Sequence, residues 1–163
     1  GGQVDVRGLE LTADADLGSL LDLPVSIPVR GAYTWTEAEF QTGFNSGYEP
    51  WGVVEAGDLV PYIPEQQGFL AIGLETSRYG GEIAMSWVEA VRTVAGQGAI
   101  SPDARVEAHT VADFSAWYAV SDQVRARLSV RNLTDETYAV ARQPAGLRPG
   151  APRAVLVGVS MQF

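Results

Sequence analysis

The sequence predicts an all-β protein, folded as an antiparallel up-and-down meander of about seven long strands. Seven segments alternate apolar with other side chains, a period that places successive residues on opposite faces of a strand. The connections between these segments alternate between long and short, which collects the long loops at one end of a meander. No run of 18 apolar residues occurs, so the chain has no candidate transmembrane helix, whereas strands that cross a membrane need no such run.

The first strand is predicted at residues 4–14. Its alternation shifts at Arg7 and Gly8, which indicates a β-bulge, since a bulge inserts one extra residue into a strand. Residues 15–24 contain glycine and proline and are predicted to form a connecting turn.

The second strand is predicted at residues 25–40. Pro28 is unexpected within this segment, because proline cannot donate a hydrogen bond to the sheet and is confined to edges and strand ends. Residues 43–64 hold four glycines and three prolines, a composition typical of a long loop.

Five further strands complete the predicted meander. Residues 78–81 and 121–123 are predicted to form tight turns, whereas long loops precede the fifth strand and the last. If the chain ends on the inner side of a membrane, every long loop lies outside the cell, which is the arrangement of outer-membrane barrels. The five strands are residues 69–77, 82–92, 109–120, 124–132 and 153–163.

The last segment gives the clearest pattern in the chain. It reads RAVLVGVSMQF, and its final residue is aromatic. A strand of about 9–11 residues with one apolar face is long enough to cross a bilayer. A strand of a soluble sandwich fits this segment, taken alone, almost equally well. The apolar parity holds Val155, Val157, Val159, Met161 and Phe163.

The sixth segment bears on these two alternatives. Arg125, Arg127 and Arg131 share one parity, and three unpaired charges are too costly for the core of a soluble sandwich. They are compatible with a hydrated lumen, or with the solvent-exposed face of a soluble sheet. The alternation thus assigns each strand one face for lipid and one for the lumen. The lumen set is Arg125, Arg127, Arg131, Asp113, Ser115 and Glu75, and the lipid set is Val155, Val157, Val159, Leu128, Val130, Phe114, Leu70, Ile72 and Leu74.

Four short motifs occur in a fixed order along the chain. R-G-L-E at residues 7–10 starts a strand, and GDLVPYIPEQQGFLAIGL at residues 57–74 leads into a later one. N-L-T-D-E-T-Y at residues 132–138 and R-P-G-A-P-R at residues 148–153 precede the last strand. In this order the motifs resemble the C-terminus of a TonB-dependent outer-membrane receptor. The PYIPEQQ and PAGLRPGAPR segments are most similar to receptors of the ferric dicitrate type.

The resemblance implies that residues 1–163 are the C-terminal part of a large outer-membrane β-barrel, with the plug and the earlier strands absent. It implies import of a ferric chelate (ferric dicitrate or a siderophore), or of a similar scarce nutrient, across the outer membrane of a Gram-negative bacterium. The implied partners are outer-membrane lipid, a TonB-type energising protein acting through the missing plug, the barrel assembly machinery and the ferric chelate. In this family the last strand, here Val155 to Phe163, resembles the signal that the assembly machinery reads.

Composition argues against several other classes of function. The formal net charge is −9, whereas nucleic-acid binding requires a basic surface. The chain has no cysteine and one histidine, His109, so neither a thiolate site nor a histidine metal site is expected. No nucleophile elbow, phosphate-binding glycine loop or H-E-x-x-H motif occurs. The sequence therefore predicts no enzyme and no cofactor, and the alternative to transport is a soluble all-β ligand-binding module.

Overall fold

A seven-stranded antiparallel sheet forms the centre of the computed structural model, which describes residues 2–48, 51–143 and 146–162. The strands lie in the sheet in the order of the chain, which confirms the predicted all-β meander. The strands are β1 (Val4–Asp16), β2 (Pro28–Phe40), β3 (Gln66–Glu75), β4 (Tyr79–Val88), β5 (His109–Ala119), β6 (Val124–Arg131) and β7 (Ala154–Met161).

The predicted bulge at Arg7 and Gly8 is wrong, because β1 and β2 pair in one continuous register along their whole lengths. Arg7 lies on the same face as the apolar Leu9, so the face changes from apolar to charged without an extra residue. Arg7 pairs with Glu37 across the ladder, with 3.0 Å between Nε and Oε2. The apparent shift in the sequence therefore marks the end of an apolar band.

The turn between β1 and β2 explains the position of Pro28. Pro28 is the first residue of β2, a place where a missing backbone donor is tolerated. The predicted connecting turn at residues 15–24 contains a single helical turn, α1 (Leu17–Leu20). Asp16 caps this helix, and its carboxylate accepts a hydrogen bond of 2.8 Å from the backbone N–H of Gly18.

Short and long connections alternate as the sequence predicts. Residues 76–78 and 120–123 make tight turns at the same end as α1, which we call the turn end. Residues 41–65, 89–108 and 132–153 form long loops at the opposite end, the loop end. Short strand pairs brace these loops, and they are Phe44–Asn45 with Val53–Val54, Val91–Arg92 with Arg105–Val106, and Ala139–Ala141 with Arg148–Pro149. A 3-10 helix spans Pro102–Ala104.

The rows of paired residues run obliquely across the sheet. One row joins Val155, near the loop end of β7, to Val29, near the turn end of β2. Its members are Val155, Val130, Phe114, Ile83, Ile72 and Val29. The strands are thus staggered, and this stagger is what allows tilted strands to close into a barrel. Within the described part of the chain, the outer edges of β1 and β7 have no partner strand.

Candidate functional site

The sheet has one apolar face and one polar face. The register places all of the predicted lipid-facing residues on the apolar face. Leu70 and Ile72 are each 46% exposed there, and Val157 is 80% exposed. Soluble monomers rarely expose a contiguous apolar surface of this extent, so this face is built to contact something other than water.

Aromatic side chains border the apolar face at both ends. Tyr79 and Tyr118 pair near the turn end, and Tyr33, Trp35 and Trp87 lie toward the loop end. Tyr79 and Trp87 are about 27 Å apart along β4 at a rise of ~3.4 Å per residue, or about 20 Å along the normal for a strand tilted by ~40°. An apolar band of this height with aromatic borders is typical of membrane-spanning β-sheets.

The opposite face is polar and carries all of the predicted lumen-facing residues. Arg30 of β2 reaches across β3 to Glu82 of β4, with 2.5 Å between Nη2 and Oε2. Asp113 of β5 accepts a hydrogen bond of 2.8 Å from the backbone N–H of Asn132. Two acidic groups on this face are thus paired, Glu82 with a side chain of another strand and Asp113 with a backbone N–H of the loop that follows β6.

β6 supplies the basic part of the polar face. Arg125, Arg127 and Arg131 are exposed, and among the residues that the structure describes none of them forms an ion pair. The guanidinium carbon of Arg125 lies 4.1 Å from the centre of the Trp117 ring. Trp117 covers Gly80, where a Cβ atom would be 2.5 Å from the indole nitrogen. Gly80 is therefore required beneath this ring.

The last strand presents its apolar parity on the apolar face. Val155, Val157, Val159 and Met161 are 62–80% exposed, and their strand pairs with β6 along one edge. Phe163, the predicted end of the assembly signal, lies outside the described residues. The strand thus combines an exposed apolar surface with an edge that is open to another strand.

Asn132 anchors the loop of residues 132–153. Its side chain is 2% exposed, and its amide nitrogen donates to the carbonyl oxygens of Glu136 and Ala151 at 2.9 and 3.0 Å. Its amide oxygen accepts a hydrogen bond of 2.8 Å from the N–H of Glu136. Its φ is +48°, a conformation in which asparagine is enriched. Sequence reasoning gave this residue no role, although an asparagine directly after a strand is a recognised signal for such a turn.

Two further contacts join the motif at residues 132–138 to the motif at residues 148–153, which leads into β7. Asp135 and Arg153 form an ion pair of 2.9 Å. Tyr138 covers Gly150, where a Cβ atom would be 2.1 Å from the phenol ring, and its ring stacks on His109 at 4.5 Å between centroids. The motifs at residues 132–138 and 148–153 therefore occur together because their residues contact each other.

Residues 57–64, the first part of the motif at residues 57–74, connect their own long loop to the long loops of residues 89–108 and 132–153. Tyr62 donates its backbone N–H to the carbonyl oxygen of Arg92 at 2.9 Å, and its hydroxyl accepts from the N–H of Arg142 at 3.3 Å. Asp58 and Arg92 are both 7% exposed. Burial lowers the pKa of the Arg92 guanidinium, and the carboxylates of Asp58 and Glu65 oppose this shift. The three loops thus form one packed cap over the loop end.

The described residues contain neither a candidate metal centre nor a candidate transmembrane helix. No three His, Cys, Asp or Glu side chains there are placed to hold a metal ion. No helix in the same residues has the length and the hydropathy needed to cross a membrane. A cleft of about 350 Å³ does open among the loops, between Ile63, Glu65, Glu89, Arg92 and Ile100.

Comparisons with known proteins agree with this geometry. A family model described as "TonB dependent receptor-like, beta-barrel" matches residues 1–133. The ferric-catecholate import receptor Fiu of E. coli K12 in its closed form is 24% identical, with a TM-score of 0.76 over 99% of this chain and 21% of that one. The siderophore receptor PiuA of Acinetobacter baumannii is 16% identical, with a TM-score of 0.77 over 99% of this chain and 22% of that one.

The unliganded ferric citrate transporter FecA is 22% identical, with a TM-score of 0.75 over 99% of this chain and 25% of that one. The chain therefore spans between 21% and 25% of the length of these three structures. No curated protein sequence matches the chain.

Replacing Asn132 tests the anchor of the last loop. Asn132→Ala removes three hydrogen bonds to backbone groups of Glu136 and Ala151, and each lost bond costs about 0.5–1.5 kcal/mol. If cleavage follows loop opening, the loss of three bonds should accelerate proteolysis within residues 132–153 by at least about tenfold. Thr134→Ala, an exposed change in the same loop, is the control, and equal cleavage of the two variants would contradict the anchoring role.

Proposed function

Because this chain belongs to the TonB-dependent receptor β-barrel family, we propose that it forms one wall of an outer-membrane receptor that imports a ferric chelate. The observation that carries the proposal is the division of one staggered sheet into an apolar face bordered by aromatic residues and a polar face rich in charge. A barrel wall needs both faces, since its outside contacts lipid and its inside contacts water.

We assign the apolar face to outer-membrane lipid and the polar face to the lumen. Lipid tails would cover large side chains such as Ile72 and Val157, which are exposed in the sheet. A soluble ligand-binding module would leave the same face in contact with water, at a cost of about 25 cal/mol per Å². The lipid assignment removes this cost, and it leaves the arginines of β6 hydrated.

The loop end faces the cell exterior in this proposal, and the turn end faces the periplasm. Residues 1–163 make up the C-terminal part of the barrel, while the plug and the earlier strands lie outside this segment. A TonB-type protein in the periplasm energises transport through that plug. β7, with its exposed apolar face and open edge, serves the barrel assembly machinery as the signal strand that ends at Phe163.

The proposed cargo is a ferric chelate of the dicitrate or siderophore type. The similar structures are a ferric-catecholate receptor, a siderophore receptor and a ferric citrate transporter, so iron uptake is common to the three. The sequence identities between these structures and this chain support a shared fold. The uptake experiment below identifies which chelate is carried.

Iron uptake in cells tests the proposed function. The complete receptor that contains this chain is expressed in a strain without its own ferric citrate and siderophore receptors, and radiolabelled iron is supplied as each chelate. Uptake of at least one chelate is expected, and deletion of the TonB protein should abolish it. Failure to take up any offered chelate, or uptake that persists without TonB, would contradict the proposal.

Matched arginine substitutions test the assignment of the faces. Val157→Arg places a charge on the lipid side and should cost about 2–4 kcal/mol of folding free energy near the bilayer midplane. Ser115→Arg lies on the other face, where Ser115 pairs with Glu82 of β4, and it should be mild. The fraction of receptor that folds into lipid vesicles measures both, and equal losses would contradict the assignment.

A further inference from the structure

Three arginines of β6 form a basic row on an otherwise acidic protein. We call Arg125, Arg127 and Arg131 the arginine ladder. Arg125 and Arg127 are about 7 Å apart along the strand, and the ladder extends about 20 Å to Arg131. Neither β6 (VRARLSVR) nor β7 (AVLVGVSM) contains an acidic residue, whereas the chain has a net charge of −9. β5, the other neighbour of β6, carries one acidic residue, Asp113, whose carboxylate accepts a hydrogen bond from the backbone N–H of Asn132. The ladder is therefore a local excess of positive charge on the polar face.

The guanidinium groups of the ladder are available to an anion. The ion pairs found in the described residues involve other arginines, among them Arg30 with Glu82. The guanidinium carbon of Arg125 lies 4.1 Å from the centre of the Trp117 ring, a cation–π contact that uses no N–H donor. Within the described residues the arginine side-chain hydrogen bonds are made by other arginines, so the N–H groups of Arg125 remain free to donate. Gly80 supports Trp117 from below, which holds this arrangement in place.

A cleft of about 770 Å³ lies at the turn end of the ladder. Arg78, Arg125 and Arg127 line it, together with neutral polar residues, three apolar side chains and one carboxylate, Asp122. Sites for small molecules commonly have volumes of about 300–1,000 Å³. Arginine binds carboxylates with two parallel hydrogen bonds, so the lining favours a ligand that carries several carboxylate groups.

The surroundings of the ladder favour a small anion over a polypeptide. Ser115, Ser129 and Gly158 lie beside it on the same face, and a Cβ atom on Gly158 would have no neighbour within 4 Å. Protein interfaces are centred on buried aromatic or aliphatic anchors. The aromatic ring nearest the ladder, Trp117, is already covered by Arg125.

We propose that the arginine ladder binds the carboxylate groups of an anionic ferric chelate as the chelate passes along the lumen wall toward the turn end. This inference rests on the proposed function, and it narrows the cargo to chelates with several carboxylates. It also gives β6 a role in the passage of the chelate along the lumen wall, away from the long loops.

Citrate binding to the purified complete receptor tests the ladder, with tryptophan fluorescence as the readout because Trp117 contacts Arg125. Citrate should give a saturable change that Trp117→Phe removes. The double variant Arg125→Gln/Arg127→Gln should weaken the apparent affinity at least tenfold. Arg7→Gln removes one positive charge from the opposite face, so it is the control and should leave the affinity unchanged.

Other anions show whether carboxylates are recognised. Chloride at equal ionic strength should give no saturable change, and inorganic phosphate should bind at least tenfold more weakly than citrate. Equal responses to chloride or phosphate would overturn the proposal, because screening or nonselective anion binding would explain them. If the glutamine variant does not assemble, Arg125→Lys/Arg127→Lys keeps the charge and should bind citrate, more weakly than arginine does. An assembled lysine variant without citrate binding would also overturn it.

A polypeptide on the ladder would give a different result. Citrate binding would then be unchanged in the glutamine variant, while the rest of the receptor became more sensitive to protease, and the proposal would be wrong. Uptake of ferric citrate separates the ladder from the proposed function. If the glutamine variant takes up ferric citrate and binds citrate normally, the proposed anion site on the arginine ladder is wrong, and the proposed function is unaffected. Citrate binding that depends on the ladder, in a receptor that imports no ferric chelate, would support the anion site and overturn the function.

Discussion

A strand that crosses a bilayer must pair every backbone N–H and C=O with a neighbouring strand, because no water is present to replace a missing hydrogen bond. The main features of this sheet meet that requirement. β1 and β2 pair without interruption from end to end, and the stagger of the rows permits closure. Pro28 stands at the first position of its strand, where its missing donor breaks no hydrogen bond of the ladder. The open edges of β1 and β7 are subject to the same constraint, since their backbone N–H and C=O groups can pair only with further strands.

The same constraint explains where tightly packed side chains are found. Among the residues that the structure describes, the buried apolar ones lie at the loop end of β2 and in the loops, except for Ala71 of β3. They are Ala38, Phe40, Val54, Ala71, Val91 and Val106. The loops of this wall segment are thus packed like a small soluble protein, around anchors such as Asn132 and Tyr62. The sheet below them has no such core, and in our account lipid on one side and a hydrated lumen on the other replace it.

Much of the sheet could be predicted because alternation records which face of a strand is apolar. The ends of the strands could not be predicted as well, and Gly80 shows why. In the sequence, two glycines after Arg78 favour a tight turn at residues 78–81. In the structure, β4 already begins at Tyr79, because Gly80 provides the space that the Trp117 ring occupies. That contact joins residues far apart in the chain, so local patterns do not reveal it.

The loop anchors were beyond sequence reasoning for a similar reason. The motif around Asn132 could be matched to a family, but its function as an anchor depends on Ala151 and Glu136 being within reach of one side chain. The arginines of β6 show the opposite case. Their shared face follows from the period of two alone, and only their freedom from ion pairs and the stacking of Arg125 on Trp117 needed the structure.

Quenching of a fluorophore on the apolar face tests directly whether this face contacts lipid. The chain has no cysteine, so Leu128→Cys and Val157→Cys can each be labelled in the complete receptor, with Ser115→Cys as the control on the polar face. The account predicts that a lipid-soluble quencher reaches positions 128 and 157 and that a water-soluble quencher reaches position 115. Protection of positions 128 and 157 from both quenchers would reveal a buried protein core and would contradict the account.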